Sequence, residues 1–247
     1  MTELTDDAFL GGRLNILQPS RGFRAAIDSV FLAAAVAAAP GQTVLELGSG
    51  VGTSSLCLAR RVDRITITEV EIDSELSRLA TENAQRNDLA DRIACITGDA
   101  ADLPADLRNR QFDHVFFNPP FHRRGAGTPS PEPAKDAANQ ANDGALARWL
   151  ESAIRRLRPG GTVTLVHIPD ALTEILAGLV GRAGRVLVFP LWPRVGHSAS
   201  RILVSAEKGA RAPMQLLPGM VLHGEGGKYT PEADNVLRGM HGIEMGI

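Results

Sequence analysis

Little in this chain offers covalent or metal chemistry. Cys57 and Cys95 are its only cysteines, and each lies in an apolar stretch. That excludes a disulfide framework and a thiolate cluster, and both are expected to be small buried residues of a reducing compartment. The six histidines are scattered without ligand spacing, so no metal is expected. The net charge is −2 and the pI about 6.3, so any nucleic-acid contact must come from a local basic patch. The apolar run at 30–39 has ten residues, where a bilayer-spanning helix needs about 20. The opening MTELTDDAFL is acidic and lacks the basic-then-apolar pattern of a secretory signal, so a cytoplasmic location is expected.

What the chain has is glycine, 25 residues of it, and a regular alternation of apolar segments. Residues 8–23 read as a short β-hairpin turning at Gly11-Gly12 and ending at Pro19. Asp28 reads as the N-cap of an alanine-rich helix over 29–39, stopped by Pro40-Gly41. Strands are expected at Thr43–Leu47, Ile65–Glu71, Ile93–Thr97, His114–Asn118 and Thr162–Ile168. Helices are expected to begin near Gly52, to run from Asp73 to about Asn87 and from Ala145 to Leu157, and to follow Asp170. Arg158-Pro-Gly-Gly reads as a helix-to-strand turn.

Two further strands, Arg185–Leu191 and Arg201–Ala206, are joined too closely for a crossover helix and should pair antiparallel. Short strands and a helix near Pro231–Arg238 are expected in the tail. The pattern predicts a single α/β domain over 1–247, with a hairpin and helix over 1–40 and a core over 41–247. That core is a Rossmann-like, seven-stranded, mostly parallel sheet with helices on both faces and an antiparallel last strand. Residues 122–143, rich in Pro, Gly, Ala and polar residues, are expected to be a long flexible loop that serves substrate, or a plain surface insertion.

Thr43–Ser55, TVLELGSGVGTSS, is a strand, a glycine turn and a helix start. Glycine permits a tight turn and close approach of a ligand to the main chain, and the helix start offers free N–H groups. The G-x-G-x-G spacing of Gly48, Gly50 and Gly52 puts the third glycine one residue early for a dinucleotide fingerprint, and no Gly-Lys-Ser/Thr follows as a phosphate loop requires. Glu71 stands 21 residues after Gly50 at the end of the next strand, where a Rossmann-like fold puts a carboxylate for ribose hydroxyls. Glu69 faces the same side and competes with it, while Asp73 is better placed as a helix cap. Asp99 follows the third strand. Each acid alone could be a solvated loop residue; together they fall at the ends of consecutive strands.

FDHVFFNPPFHRR, residues 112–124, begins as a buried strand and breaks at Asn118-Pro119-Pro120-Phe121. Proline lacks the N–H a ladder needs and fixes φ, so the segment is either a plain strand terminator or a rigid frame for a flat polar group.

Two motifs carry a family resemblance. Glu46-Leu-Gly-Ser-Gly-Val-Gly resembles the first motif of class I S-adenosylmethionine-dependent methyltransferases, and Asn118–Phe121 resembles the (Asp/Asn/Ser)-Pro-Pro-(Tyr/Phe/Trp) motif of members that modify planar amino groups. The resemblance implies S-adenosyl-L-methionine as cofactor and S-adenosyl-L-homocysteine as product. It implies cofactor contacts from Glu46, Gly48, Ser49, Gly50, Gly52, Glu71, Ile72, Asp99, Ala100 and Asn118, with Asp99 facing the adenine amino group. Asn118 and Pro119 would accept the N–H bonds of the amine, Pro120 would stiffen the corner and Phe121 would stack on the substrate.

GGRLNILQPSRGFRAAIDSVFLAAA near the start, with WPR, SRILVSAEKG and KYTPEADNVLRG near the end, resembles bacterial methyltransferases that act on an adenine beside the anticodon of valine tRNA. By position Gln18, Gly22, Phe23 and Asp28 would border the cofactor. Where related chains carry a His-Glu pair this one reads AANQAND at 137–143. Arg21, Arg24, Arg123, Arg124, Arg194, His197 and Arg201 are the candidate phosphate contacts for tRNA or another nucleic acid, although each could be a solvated surface side chain. A protein glutamine amide or a small amine is the alternative substrate, and a non-catalytic cofactor-binding RNA chaperone the alternative class. Oligomeric state is not readable from the sequence.

Overall fold

The structure, a computed structural model, describes residues 3–22, 24–120 and 144–246. Phe23 and the proposed loop at 122–143, with Phe121, Arg123 and Arg124, lie outside them.

Strands β1 (Leu4–Phe9) and β2 (Leu14–Pro19) form the expected antiparallel hairpin, a separate two-stranded sheet. Helix α1 (Ile27–Ala35) follows, then β3 (Thr43–Leu47), α2 (Thr53–Arg61), β4 (Thr66–Glu71), α3 (Ser74–Arg86), β5 (Ile93–Thr97), the short α4 (Ala105–Arg108) and β6 (Phe112–Phe117). Beyond the undescribed segment come α5 (Ala145–Arg156), β7 (Leu157–His167), α6 (Leu172–Leu179), β8 (Ala183–Trp192) and β9 (Arg201–Lys208). Two-residue strands β10 (Gln215–Leu216) and β11 (Met220–Val221) and helix α7 (Pro231–Leu237) complete the described elements.

The main sheet runs β10-β8-β9-β7-β6-β3-β4-β5, with β11 also on β8. Every pairing is parallel except those of β9, which is antiparallel to both β7 and β8. The expected mostly parallel sheet is present, and β10 and β11 extend it by pairing with β8.

Alternation along the central strands builds two cores. Val44, Ile67 and Phe116 join α1, α2, α3 and α7 on one face, while Leu45, Leu47, Val115 and Phe117 join α4, α5 and α6 on the other. Phe116 and Phe117 are both fully buried, one on each face, and truncating either to alanine should cost about 3–5 kcal/mol.

Three local expectations need correction. Asp28 does not cap its helix: the N-cap is Ala26, and Asp28 lies in the first turn, where its Oδ2 accepts from Arg201 Nε at 2.8 Å. That helix also stops at Ala35, before the Pro40-Gly41 break. Arg158–Gly161 is not a turn between elements but a bulge inside β7, where pairing steps from Phe112↔Leu157 to His114↔Thr162.

The hairpin is tied to the core by Asn83 of α3 and by Asn87, the C-cap of that helix. Asn83 and Asn87 each accept from and donate to the backbone of β2, at Leu17 and Asn15, over 2.8–3.0 Å. Each side-chain amide takes the place of a strand neighbour along the β2 edge.

Candidate active site

Parallel strands deliver their loops to one edge, the carboxyl end, where ligands of open α/β sheets bind. Gly48, Gly50 and Gly52 all have φ between +57 and +82, which side-chain-bearing residues rarely adopt. The turn they make is fixed from below: Gly48 and Ser49 donate their N–H groups to Val70 O at 2.7 and 3.2 Å. Gly52 is also required by space, since a Cβ there would stand 3.0 Å from Glu69 Oε1 and 3.3 Å from Ala80 Cβ.

Three glutamates surround this loop in different roles. Glu71 accepts from Gly50 N–H at 2.8 Å and from Asp73 N–H at 2.9 Å, one bond on each oxygen. An ionised carboxylate has about four acceptor sites, so ribose hydroxyls can still be received there. Glu46 is 2% exposed and accepts from the Ser55 N–H at 3.1 Å and from the Ser55 hydroxyl. It therefore anchors the start of α2 under the loop. Glu69 is 0% exposed, and neither of its oxygens has a partner among the described residues. Burial pushes its carboxyl up to about 7 and the charge of Glu71 adds to the shift; Ser55 and Cys95 lie near enough to oppose it in part. Burial, then repulsion from Glu69, raises Glu46 as well. Burial disfavours charge on both carboxyls, and the charge of Glu69 works further against ionising Glu46.

The other positions lie around the same edge. Asp73 caps α3 as the sequence predicts, accepting from Glu75 and Leu76 N–H. Ile72 is 68% exposed, an apolar side chain left in solvent beside Glu71. Asp99 is exposed and accepts from Ala101 N–H at 2.8 Å, and Ala100 is buried beneath it. Cys95 is only half-buried and touches Ser77 Oγ at 3.3 Å, a more polar setting than its apolar sequence context implied. Burial drives its thiol up to about 12, so it is inert at neutral pH.

Asn118 continues β6 directly, with Phe117 paired to Leu47 on one side and Leu165 on the other. Asn118 Oδ1 is shut off from solvent and has no partner among the described residues. An unpaired buried acceptor costs about 1–3 kcal/mol, so this oxygen fits a site that receives a donor from a ligand. Pro119 is buried and Pro120 exposed.

The N-terminal positions divide. Gln18 is 1% exposed and fully engaged within the arm, donating to Asp7 and accepting from Ala25 N–H. Arg24 pairs with Asp7 at 2.9 Å and also donates to Thr5 and Pro19. Arg201 is held by Asp28. Arg21, Arg194 and His197 are exposed.

Sequence reasoning passed over two residues. Thr53, in the first turn of α2, has a buried hydroxyl with no partner among the described residues; its place directly after the third glycine was the available signal. Trp149 on α5 lies against Gly48 and Phe117, and no sequence signal short of the packing identifies it.

A glycine turn with acids at neighbouring strand ends, beside a buried unpaired acceptor just past β6, is the setting of an α/β enzyme that takes a nucleoside cofactor. The chain belongs to the methyltransferase small domain family, whose model matches residues 24–182. It is an S-adenosylmethionine-dependent methyltransferase. A relative from Shewanella baltica, named tRNA1(Val) (adenine(37)-N6)-methyltransferase, is 26% identical over 236 residues, 94% of this chain and 97% of its own. A relative from Actinobacillus succinogenes with the same name is 31% identical over 161 residues, 65% of this chain and 67% of its own. Among solved structures, a protein of Agrobacterium tumefaciens described as a predicted O-methyltransferase superposes with a TM-score of 0.74 at 25% identity, covering 87% of this chain and 98% of that one.

The residues present fit the cofactor. Glu71 keeps acceptor capacity for a ribose and Ile72 offers an apolar surface for a base, beside a turn that Gly48, Gly50 and Gly52 hold at positive φ. Among the described residues no three His, Cys, Asp or Glu side chains are grouped to hold a metal ion, and no helix is long and apolar enough to cross a membrane.

Proposed function

We propose that the chain transfers a methyl group to the exocyclic amino group of an adenine in tRNA. The observation that carries this reading is Asn118 Oδ1, a buried acceptor with no partner among the described residues, just past the end of β6. When bound, S-adenosylmethionine supplies an electrophilic methyl group on a sulfonium sulfur. An amine conjugated to a ring is a poor nucleophile, because its lone pair is drawn into the ring. Asn118 Oδ1 and the Pro119 carbonyl accept its two N–H bonds, turn the lone pair toward the methyl and favour the positive charge that builds on nitrogen. With the cofactor bound, a carbon–nitrogen bond would form as the carbon–sulfur bond breaks, its electron pair staying on the sulfur of the departing S-adenosylhomocysteine, and the nitrogen would release a proton to water. No general base is required.

An acceptor pair of this kind supports transfer to nitrogen over transfer to an alcohol oxygen, which has one proton and needs a base to remove it. The names of the relatives from Shewanella and Actinobacillus support adenine in tRNA as the acceptor. Such a base must be splayed out of its stack to reach Asn118, which suits a single-stranded loop. Phe121, next along the chain, supplies a stacking ring in this reading.

The test is methyl transfer from labelled cofactor to tRNA taken from cells lacking the gene, with nucleosides resolved by mass spectrometry. N6-methyladenosine in one tRNA species is expected. Label in protein alone would replace tRNA by a glutamine amide as substrate. Asn118→Ala should lower kcat at least ~100-fold while cofactor affinity stays within about threefold; full activity in that variant would refute the clamp.

A further inference from the structure

Trp149 joins the two halves of the site. Its Cη2 atom occupies the place that a Cβ on Gly48 would need, with Cζ3 2.9 Å from that point. On the other side its ring meets Phe117 edge-on, centroids 5.8 Å apart at 67°. Gly48 opens the glycine turn, and Phe117 immediately precedes Asn118. The indole is half-buried, packed on the core that contains Leu47, Phe117 and Leu150. A rigid ring, with two rotatable bonds, therefore touches both the first glycine of the loop read as holding the methyl donor and the residue before the corner read as holding the amine.

We propose that Trp149 is a positioning residue whose indole sets the gap between donor and acceptor. The inference rests on the reading of Gly48–Gly52 as the cofactor loop and Asn118 as the amine clamp. Methyl transfer is an in-line displacement, and a misplacement of about 1 Å can cost on the order of 100-fold in rate. Gly48 is glycine for two independent reasons here: its φ of +66 and the indole lying where a side chain would begin. A flexible or smaller side chain at 149 lets the loop and the corner settle closer or at a different angle. A phenyl ring keeps the contact with Phe117 but is too short to fill the place beside Gly48.

Two measurements test this. Single-turnover transfer to tRNA should fall in the order wild type, Trp149→Phe, Trp149→Leu, with the leucine variant roughly 10- to 100-fold slow and cofactor affinity within about threefold throughout. An unchanged rate in Trp149→Leu, or a rate loss matched by an equal loss of cofactor affinity, would overturn the positioning role. The second measurement keeps Trp149 intact. The chain has two tryptophans, so Trp192→Phe leaves Trp149 as the only indole emitter. Its emission should shift on titration with S-adenosylhomocysteine, with a midpoint equal to the dissociation constant from calorimetry. Calorimetric binding without any change in emission would remove Trp149 from the site and leave the cofactor loop standing. Absence of binding by calorimetry would remove both readings together.

Discussion

At the residue scale, the buried carboxyls under the glycine turn govern how the site responds to pH. Glu69 is raised from the ordinary 4.5 to about 7, first by burial and then by the charge of Glu71. The folded protein thus binds more protons than the unfolded chain between about pH 4.5 and 7. Stability from this group is fully present below pH 4.5 and is lost as pH rises through about 7. Glu69→Gln keeps the shape and removes the ionisation. Relative to that variant, the wild type should lose roughly 1–3 kcal/mol between about pH 5 and 8, read from denaturant midpoints across the range. Parallel profiles for the two proteins would show that Glu69 stays uncharged or is solvated. The same comparison bears on the turn itself, because Glu69 Oε1 is the atom that a side chain at 52 would strike.

At the element scale, much of the architecture was legible. Thr43–Leu47 and Ile93–Thr97 are strands at the residues their apolar runs indicate, and Asp73 is the cap its side chain suggests. Those signals are local: an apolar run between turn residues, or a short acceptor ahead of a helix. The errors arose where tertiary contact overrides local chemistry. Asp28 is a good capping residue by type, but Arg201, 173 positions away, draws its carboxylate into an ion pair. Arg158-Pro159-Gly160-Gly161 has turn chemistry, yet the sheet absorbs it as a bulge because Leu157 already pairs with Phe112. In the candidate site, the glycine turn was legible because positive φ is intrinsic to the residue type, and the strand end at Asn118 because proline stops a ladder. The bonds of Glu46 to Ser55 and the contacts of Trp149 with Gly48 and Phe117 were not, since each depends on what packs opposite. The attachment of the hairpin is also tertiary, and it yields a prediction. Asn83 and Asn87 give β2 four hydrogen bonds to its backbone. Asn83 also donates to Val51 O at 3.0 Å, which connects this junction to the glycine turn. Asn83→Ala leaves the Leu17 N–H and C=O unpaired and should destabilise the protein by about 1–3 kcal/mol. Limited proteolysis should then cut within 4–19 sooner than elsewhere, and cofactor affinity should fall through the lost Val51 contact. Undiminished protection of the hairpin in this variant would mean that the Asn87 bonds to Asn15 and the packing of Leu14 and Ile16 hold the β2 edge without Asn83.

At the scale of the whole molecule, a net charge of −2 must be reconciled with the proposed RNA substrate. Long-range attraction is not supplied by the total, so phosphate contact must be local and few in number. The intramolecular ion pairs narrow the choice. Arg24 and Arg201 are bound to Asp7 and Asp28, which offsets their charge, whereas Arg21 and Arg194 are exposed. Arg21 follows the hairpin and Arg194 follows β8, so both leave their elements in loops. Each phosphate neutralised on a single-stranded segment contributes about −0.7 to the slope of log affinity against log salt, and about −0.9 on a duplex. Arg21→Ala and Arg194→Ala should therefore each weaken tRNA binding and make the salt slope shallower by somewhat under one, with kcat at saturating tRNA unchanged. Arg24→Ala should leave the slope nearly as it is and lower stability instead, because that guanidinium serves the hairpin. If Arg24→Ala changes the slope while Arg21→Ala and Arg194→Ala do not, the RNA lies across the arm rather than along the loops, and the Asp7 pair must open when it binds.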